Sequence, residues 1–156
     1  MKIFGIDPGP EISAGVLWDT ELNRVMGATQ TENDLFRMAA KIEWKEGNFN
    51  VAVIEDVAFY GKVLNRSTFE TLKFIGRLQE IFAPYCQFVY FPDYALHFCN
   101  SRRGVKTSQI NAVLTDRFGG KGTQKNPGPL YGIKEHMWSA LAVAVYWADL
   151  NRSRML

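Results

Sequence analysis

Two hydrophobic periods alternate along the chain. Lys2-Ile3-Phe4-Gly5-Ile6 is an apolar run that closes on Asp7 and turns at once at Pro8-Gly9. A continuous apolar run bounded by turn residues predicts a strand buried on both faces. Residues 13–18 and 24–31 read as two more strands, and the polar link Asp19-Thr20-Glu21-Leu22-Asn23 predicts that they form an antiparallel meander. Residues 33–46 then switch to the helical period, with Leu35, Met38, Ala39 and Ile42 on one face and Gly47-Asn48 as the stop. Val51-Ala52-Val53-Ile54-Glu55-Asp56 repeats the form of the first strand, an apolar run ending in carboxylates. Because a helix precedes it, it is expected to pair parallel to the first strand through a crossover. Asp7 and Glu55 would then reach the same edge of the sheet.

In the second half, Ser67-Thr68-Phe69-Glu70 has the form of a capping box and predicts a helix over 68–82, ended by Pro84. Its apolar stripe is Phe69, Leu72, Ile75, Leu78 and Phe82. Gly76 costs such a helix about 1 kcal/mol against Ala, which either close approach by another backbone or chance would explain. Residues 87–91 read as the last strand, followed by a helical turn at 94–98 and a basic loop over 100–106. Residues 107–118 form a helix carrying Ile110, Val113 and Leu114, stopped by Gly119-Gly120. The Gly-, Pro- and Lys-rich stretch 121–131 reads as a flexible connection. The final helix, over 133–150, is apolar all round from Ala140 to Ala148 and must be buried on most sides. Its polar residues Lys134, Glu135, His136 and Ser139 gather in the first turns. The order of elements predicts an α/β fold with a mixed central sheet of about five strands flanked by helices. No repeat or linker interrupts it, so residues 1–156 are expected to be one domain.

Composition narrows the class. A hydrophobic share of 47% and an aromatic share of 13% exclude a disordered chain. The net charge of +2 is too small to identify a partner by itself. Cys86 and Cys99 have no metal-type spacing and suggest free thiols in a reducing compartment. No apolar run has membrane-spanning length, since Asp149 and Arg152 close the longest. A cytoplasmic protein is expected.

Two readings fit Asp7: a metal-binding or catalytic carboxylate presented on a rigid strand tip, or a cap on the Pro-Gly turn. With Glu55 beside it the balance shifts. Two carboxylates about 5 Å apart repel by roughly 3 kcal/mol at an effective dielectric near 20, so a shared proton or a cation must offset them. Oxygen ligands with one imidazole suit Mg2+ or Mn2+ rather than Zn2+, and a pair of such ions suits in-line phosphodiester cleavage. For His136 the alternative is a helix-surface or N-terminal capping residue, the commoner fate of a lone His, and for Glu135 it is a partner of the helix macrodipole.

Gly5-Ile6-Asp7-Pro8-Gly9, Ile54-Glu55-Asp56-Val57 and Ser139-Ala140-Leu141-Ala142-Val143-Ala144, in that order and spacing, resemble the RuvC Holliday-junction resolvases. The phage-type branch is nearer still, because a basic loop and helix like Arg103 to Phe118 there precede a segment like Gly132-Ile133-Lys134-Glu135-His136-Met137-Trp138. The resemblance implies an RNase H-like fold and a homodimer that resolves four-way or other branched DNA with Mg2+ or Mn2+, in a phage or bacterial host cell. Asp7 would be the central metal ligand and Glu55 the second, with His136 where the family places Asp or His. Ser139 stands where the family usually has a final Asp, a departure that Glu135 could compensate.

For DNA the basic residues Lys62, Arg66, Arg102, Arg103, Lys106, Lys121 and Lys125 are candidates to grip phosphates. Phe59 and Tyr60 are candidates to stack on bases opened at the junction. Three other readings compete: a junction-binding protein without catalysis, which Ser139 favours; an RNase H-like nuclease for another substrate; and an actin-like ATPase, for which the chain is too short to supply two lobes.

Overall fold

A computed structural model describes residues 1–58, 61 and 63–152. The assignments of Phe59, Tyr60 and Lys62 to DNA lie outside the described residues. Five strands, β1 (Lys2–Asp7), β2 (Ile12–Asp19), β3 (Arg24–Glu32), β4 (Val51–Asp56) and β5 (Cys86–Tyr90), form one sheet in the order β3-β2-β1-β4-β5. The first three pair antiparallel, while β4 joins β1 in parallel and β5 joins β4 in parallel. The expected mixed sheet and crossover are both present. Among the described residues five helices accompany them: α1 (Asn33–Lys45), α2 (Arg66–Phe82), α3 (Phe91–Cys99), α4 (Thr107–Phe118) and α5 (Met137–Asn151).

The strands' alternation decides what meets what. Ile3, Val51, Val53 and Val89 face one way and pack with α5, Tyr94 and Ala95 of α3 and Ile110 and Leu114 of α4. Phe4, Ile6, Ala52 and Ile54 face the other way, against Phe36 and Ala40 of α1 and Phe74, Ile75, Leu78 and Phe82 of α2. Side chains two apart share a face, so Asp7 and Glu55 belong to the same side as Ile3, Val51 and Val53. That is the side of α5.

Gly5 sets how closely α5 lies. A Cβ there would stand 2.1 Å from the Ala140 carbonyl oxygen and 2.9 Å from the Ala144 Cβ. A glycine on the strand facing two alanines on the helix lets the backbones touch, and α5 runs with its start over the Asp7 end of β1.

Several local expectations are corrected. On α1, Leu35, Met38, Ala39 and Ile42 are exposed, and the buried face is Phe36 and Ala40 with Trp44 half-buried. Aromatic rings at this spacing outcompete the aliphatic stripe for contact: Phe36 lies 6.0 Å from Phe4, and Trp44 lies 5.2 Å from Phe49. The Ser67–Glu70 box does not start α2; Asn65 caps it, accepting from the Thr68 N–H at 2.9 Å, while Glu70 pairs with Lys73. Phe69 of the expected stripe is exposed. The stretch 121–131 is an ordered hairpin: Gly122 bridges Pro127, and the Gly128 N–H donates to the Lys121 carbonyl at 2.8 Å. Finally, α5 begins at Met137, not 133, because Gly132 and Glu135 have left-handed φ values of 87° and 45° that no α-helix accepts. Lys134, Glu135 and His136 therefore precede the helix, with His136 at its N-cap.

Candidate active site

Parallel pairing puts Ile6 beside Ile54, so the next residues of β1 and β4, Asp7 and Glu55, sit at adjacent strand tips. The turn after Asp7 is pinned from below. The Gly9 N–H donates to the Ser13 hydroxyl (3.2 Å), that hydroxyl donates to Asn33 Oδ1 (2.6 Å), and the Asn33 amide donates back to the Gly9 carbonyl (3.0 Å). Ser13 is buried, so these bonds are shielded from competing water.

His136 Nδ1 lies 3.1 Å from Asp7 Oδ2, an imidazole delivered by the segment before α5. Glu55 Oε2 accepts from the Tyr94 hydroxyl of α3 at 3.1 Å. Burial raises the Asp7 carboxyl above its usual range, and the charge and hydrogen bond of His136 offset only part of this. Burial, then the neighbouring Asp7 charge, pushes Glu55 up to about 8, against the pull of the Tyr94 hydrogen bond. Burial and the Glu55 charge in turn push the Tyr94 phenol far above its usual value, a rise that the neighbouring Ser139 hydroxyl works against. The protein thus holds two carboxyl groups in a setting that disfavours their charge, as expected where a cation completes the site.

The other sequence candidates are distributed around this pair. Ser139 lies beside the Tyr94 hydroxyl. The Glu135 carboxylate accepts from the Gln30 amide at 2.7 Å and so is engaged across the sheet edge, not with Asp7 or Glu55. Asp7, Gln30, Thr71 and His136 line a cleft of about 440 Å3 with the Pro8–Ile12 turn. Of the basic candidates, Lys121 is tied to this region, its Nζ lying 5.4 Å from the Trp138 ring centroid in the first turn of α5. Arg102 faces Asp93 at 3.5 Å. Arg66, Arg103, Lys106 and Lys125 are exposed at helix starts or loop tips, with no contact to the acidic pair.

Sequence reasoning missed Tyr94, Ser13, Asn33 and Gln30. Tyr94 offered one signal, a phenol on a short apolar helix, since a buried tyrosine needs a partner for its hydroxyl. The others are ordinary polar residues until the chain folds.

Among the described residues, no three His, Cys, Asp or Glu side chains are gathered closely enough to cage a metal. Two half-buried carboxyl groups on rigid strand tips nevertheless fit Mg2+ or Mn2+. Mg2+ commonly takes one or two carboxylates and fills its remaining positions with water and substrate phosphate. No helix is long and apolar enough to cross a membrane among the described residues.

Compared by sequence, the chain matches no protein-family model and no curated protein. Compared by structure, it is similar to RuvC from Thermus thermophilus, with a TM-score of 0.77 over 99% of this chain and 97% of that one, at 14% identity. It is also similar to T. thermophilus RuvC in complex with a Holliday junction substrate, with a TM-score of 0.75 over 99% and 96% of the two chains, at 13% identity. The five-stranded sheet and its five helices therefore have the RuvC, RNase H-like fold.

Proposed function

We propose that the chain is a metal-dependent endonuclease that resolves Holliday junctions or related branched DNA by phosphodiester hydrolysis, with residues 1–156 as one nuclease domain. The observation that carries the reading is the placement of Asp7 and Glu55 on adjacent parallel strands, facing α5, with both carboxyl groups raised and His136 at 3.1 Å from Asp7. The similarity in fold to a RuvC seen with a Holliday junction supports the substrate class.

In this reading Asp7 and Glu55 would hold Mg2+ or Mn2+, which would supply Lewis acidity at the scissile phosphate and lower the pKa of a nearby water. With Nδ1 turned to Asp7, His136 keeps Nε2 free to take a proton from the attacking water. Glu135, locked to Gln30, steadies the rim of the cleft. Ser139, beside Tyr94, contributes a hydroxyl where a further carboxylate would be the stronger ligand. Arg66, Arg102, Arg103, Lys106, Lys121 and Lys125 bind phosphates of the junction arms.

Two copies would present two sites to paired strands. The solvent face of α2 suits such a seam: Phe69 is exposed there, and Gly76 has nothing within 4 Å of its open side, leaving room for a second helix. Light scattering tests this, and a strictly monomeric species in solution contradicts it.

A junction-binding protein without catalysis is the second reading, favoured by Ser139 and by the lack of a third clustered ligand among the described residues. Incubation with four-way DNA in Mg2+ and in Mn2+ separates the two. Cleavage lost in Asp7→Asn with junction binding kept supports the nuclease; binding without cleavage in either metal sinks it.

A further inference from the structure

We infer that Tyr94 is a positioning residue of the acidic site, its hydroxyl fixing one oxygen of Glu55 so that the other is left to face a divalent cation held with Asp7. The inference rests on the reading of Asp7 and Glu55 proposed above and adds a residue that neither the sequence motifs nor the fold similarity assigns.

Three observations carry it. Tyr94 is 1% exposed, too deep to touch DNA, so its hydroxyl acts through another group. That hydroxyl donates to Glu55 Oε2 at 3.1 Å, and it is the one hydrogen bond made to the Glu55 carboxylate among the described residues. The ring cannot swing: Phe91 lies 5.1 Å away edge-on, and Tyr146 lies 6.5 Å away on the neighbouring helix. A long glutamate on a strand tip has three rotatable bonds, and a single rigid donor removes most of that freedom. Asp7 is held in the parallel manner by His136, through Oδ2. Each carboxylate thus has one oxygen engaged by a neighbour, leaving Oδ1 of Asp7 and Oε1 of Glu55. Outer groups that orient a ligand in this way commonly change metal affinity or activity 10- to 100-fold when removed.

The experiment is a Mn2+ titration of the whole chain without DNA, followed by calorimetry and by the electron paramagnetic resonance signal of free Mn2+. It is run on wild type, Tyr94→Phe, Glu55→Gln and the double variant. Tyr94→Phe keeps the ring and its packing, and thermal melting monitors the fold of each protein. The expected result is a 10- to 100-fold weaker Mn2+ affinity in Tyr94→Phe and no further loss from the same change in the Glu55→Gln background. Affinity within twofold of wild type, or an equal loss in both backgrounds, overturns the positioning role and leaves the nuclease reading intact. Failure of the wild-type chain to take up Mn2+ overturns both.

Discussion

Glu55→Gln should make the metal-free protein more stable at neutral to alkaline pH while destroying its use. Burial and the Asp7 charge raise the Glu55 carboxyl from 4.5 to about 8. A group whose folded pKa lies above its unfolded value stabilises fully below the unfolded value, and that stability is lost as pH rises through the folded value. At pH 8 the unfolded chain gives up this proton freely, whereas the folded chain holds it half the time. A shift of that size, at 1.36 kcal/mol per pK unit, corresponds to at most about 5 kcal/mol against the folded state. Water reaching the strand tip reduces the figure, so about 2–4 kcal/mol is the working range. The amide of Gln has no charge to bury and can still accept from Tyr94. For a domain of this length each kcal/mol moves the melting temperature by about 2–4 °C, so the gain should be roughly 5–15 °C at pH 8 and near zero at pH 4. Differential scanning calorimetry in a chelating buffer from pH 4 to 9 measures it. Equal melting temperatures for wild type and Glu55→Gln across that range, or a gain that shrinks as pH rises, would refute the argument.

Other consequences are equally open to measurement. Gly5→Ala drives a methyl into the Ala140 carbonyl and should destabilise by about 1–3 kcal/mol or more, with Mn2+ binding lost as α5 shifts; denaturant unfolding checks this. Ser13→Ala removes the acceptor of the Gly9 N–H and should cost about 1–3 kcal/mol, with slower hydrogen exchange at Gly9 counting against the account. Lys121→Ala should weaken junction binding alike for all sequences and lower the slope of log affinity against log salt by about 1, read by fluorescence anisotropy at several salt concentrations. Mg2+ or Mn2+ should raise the melting temperature of wild type at pH 8 and leave Asp7→Asn unchanged, which a thermal shift series tests.

Much of the sheet was legible because buried strands carry their signal in the chain itself. The runs ending at Asp7 and Glu55 had to be central, and the intervening helix implied the parallel crossover that sets them side by side. The buried character of α5 followed from an apolar circumference. Features decided by tertiary competition were hidden. Leu35, Met38 and Ile42 make as good a stripe on paper as Phe36, Ala40 and Trp44, and only the facing rings of Phe4 and Phe49 choose between them. The start of α5 turned on the backbone of Glu135, whose positive φ has no sequence signature in a glutamate. At the site, the residue types named chemistry but not partners: Glu135 was free to reach Asp7 until Gln30 engaged it, and Tyr94 had no visible role until α3 laid its hydroxyl on Glu55.

Crystals of the protein soaked in Mn2+ and recorded at an anomalous wavelength test the central claim most directly. The account predicts a manganese peak bridging the carboxylates of Asp7 and Glu55, absent in Asp7→Asn crystals treated alike. Manganese found only elsewhere, or the two carboxylates sharing a proton with no ion between them at saturating Mn2+, would contradict it.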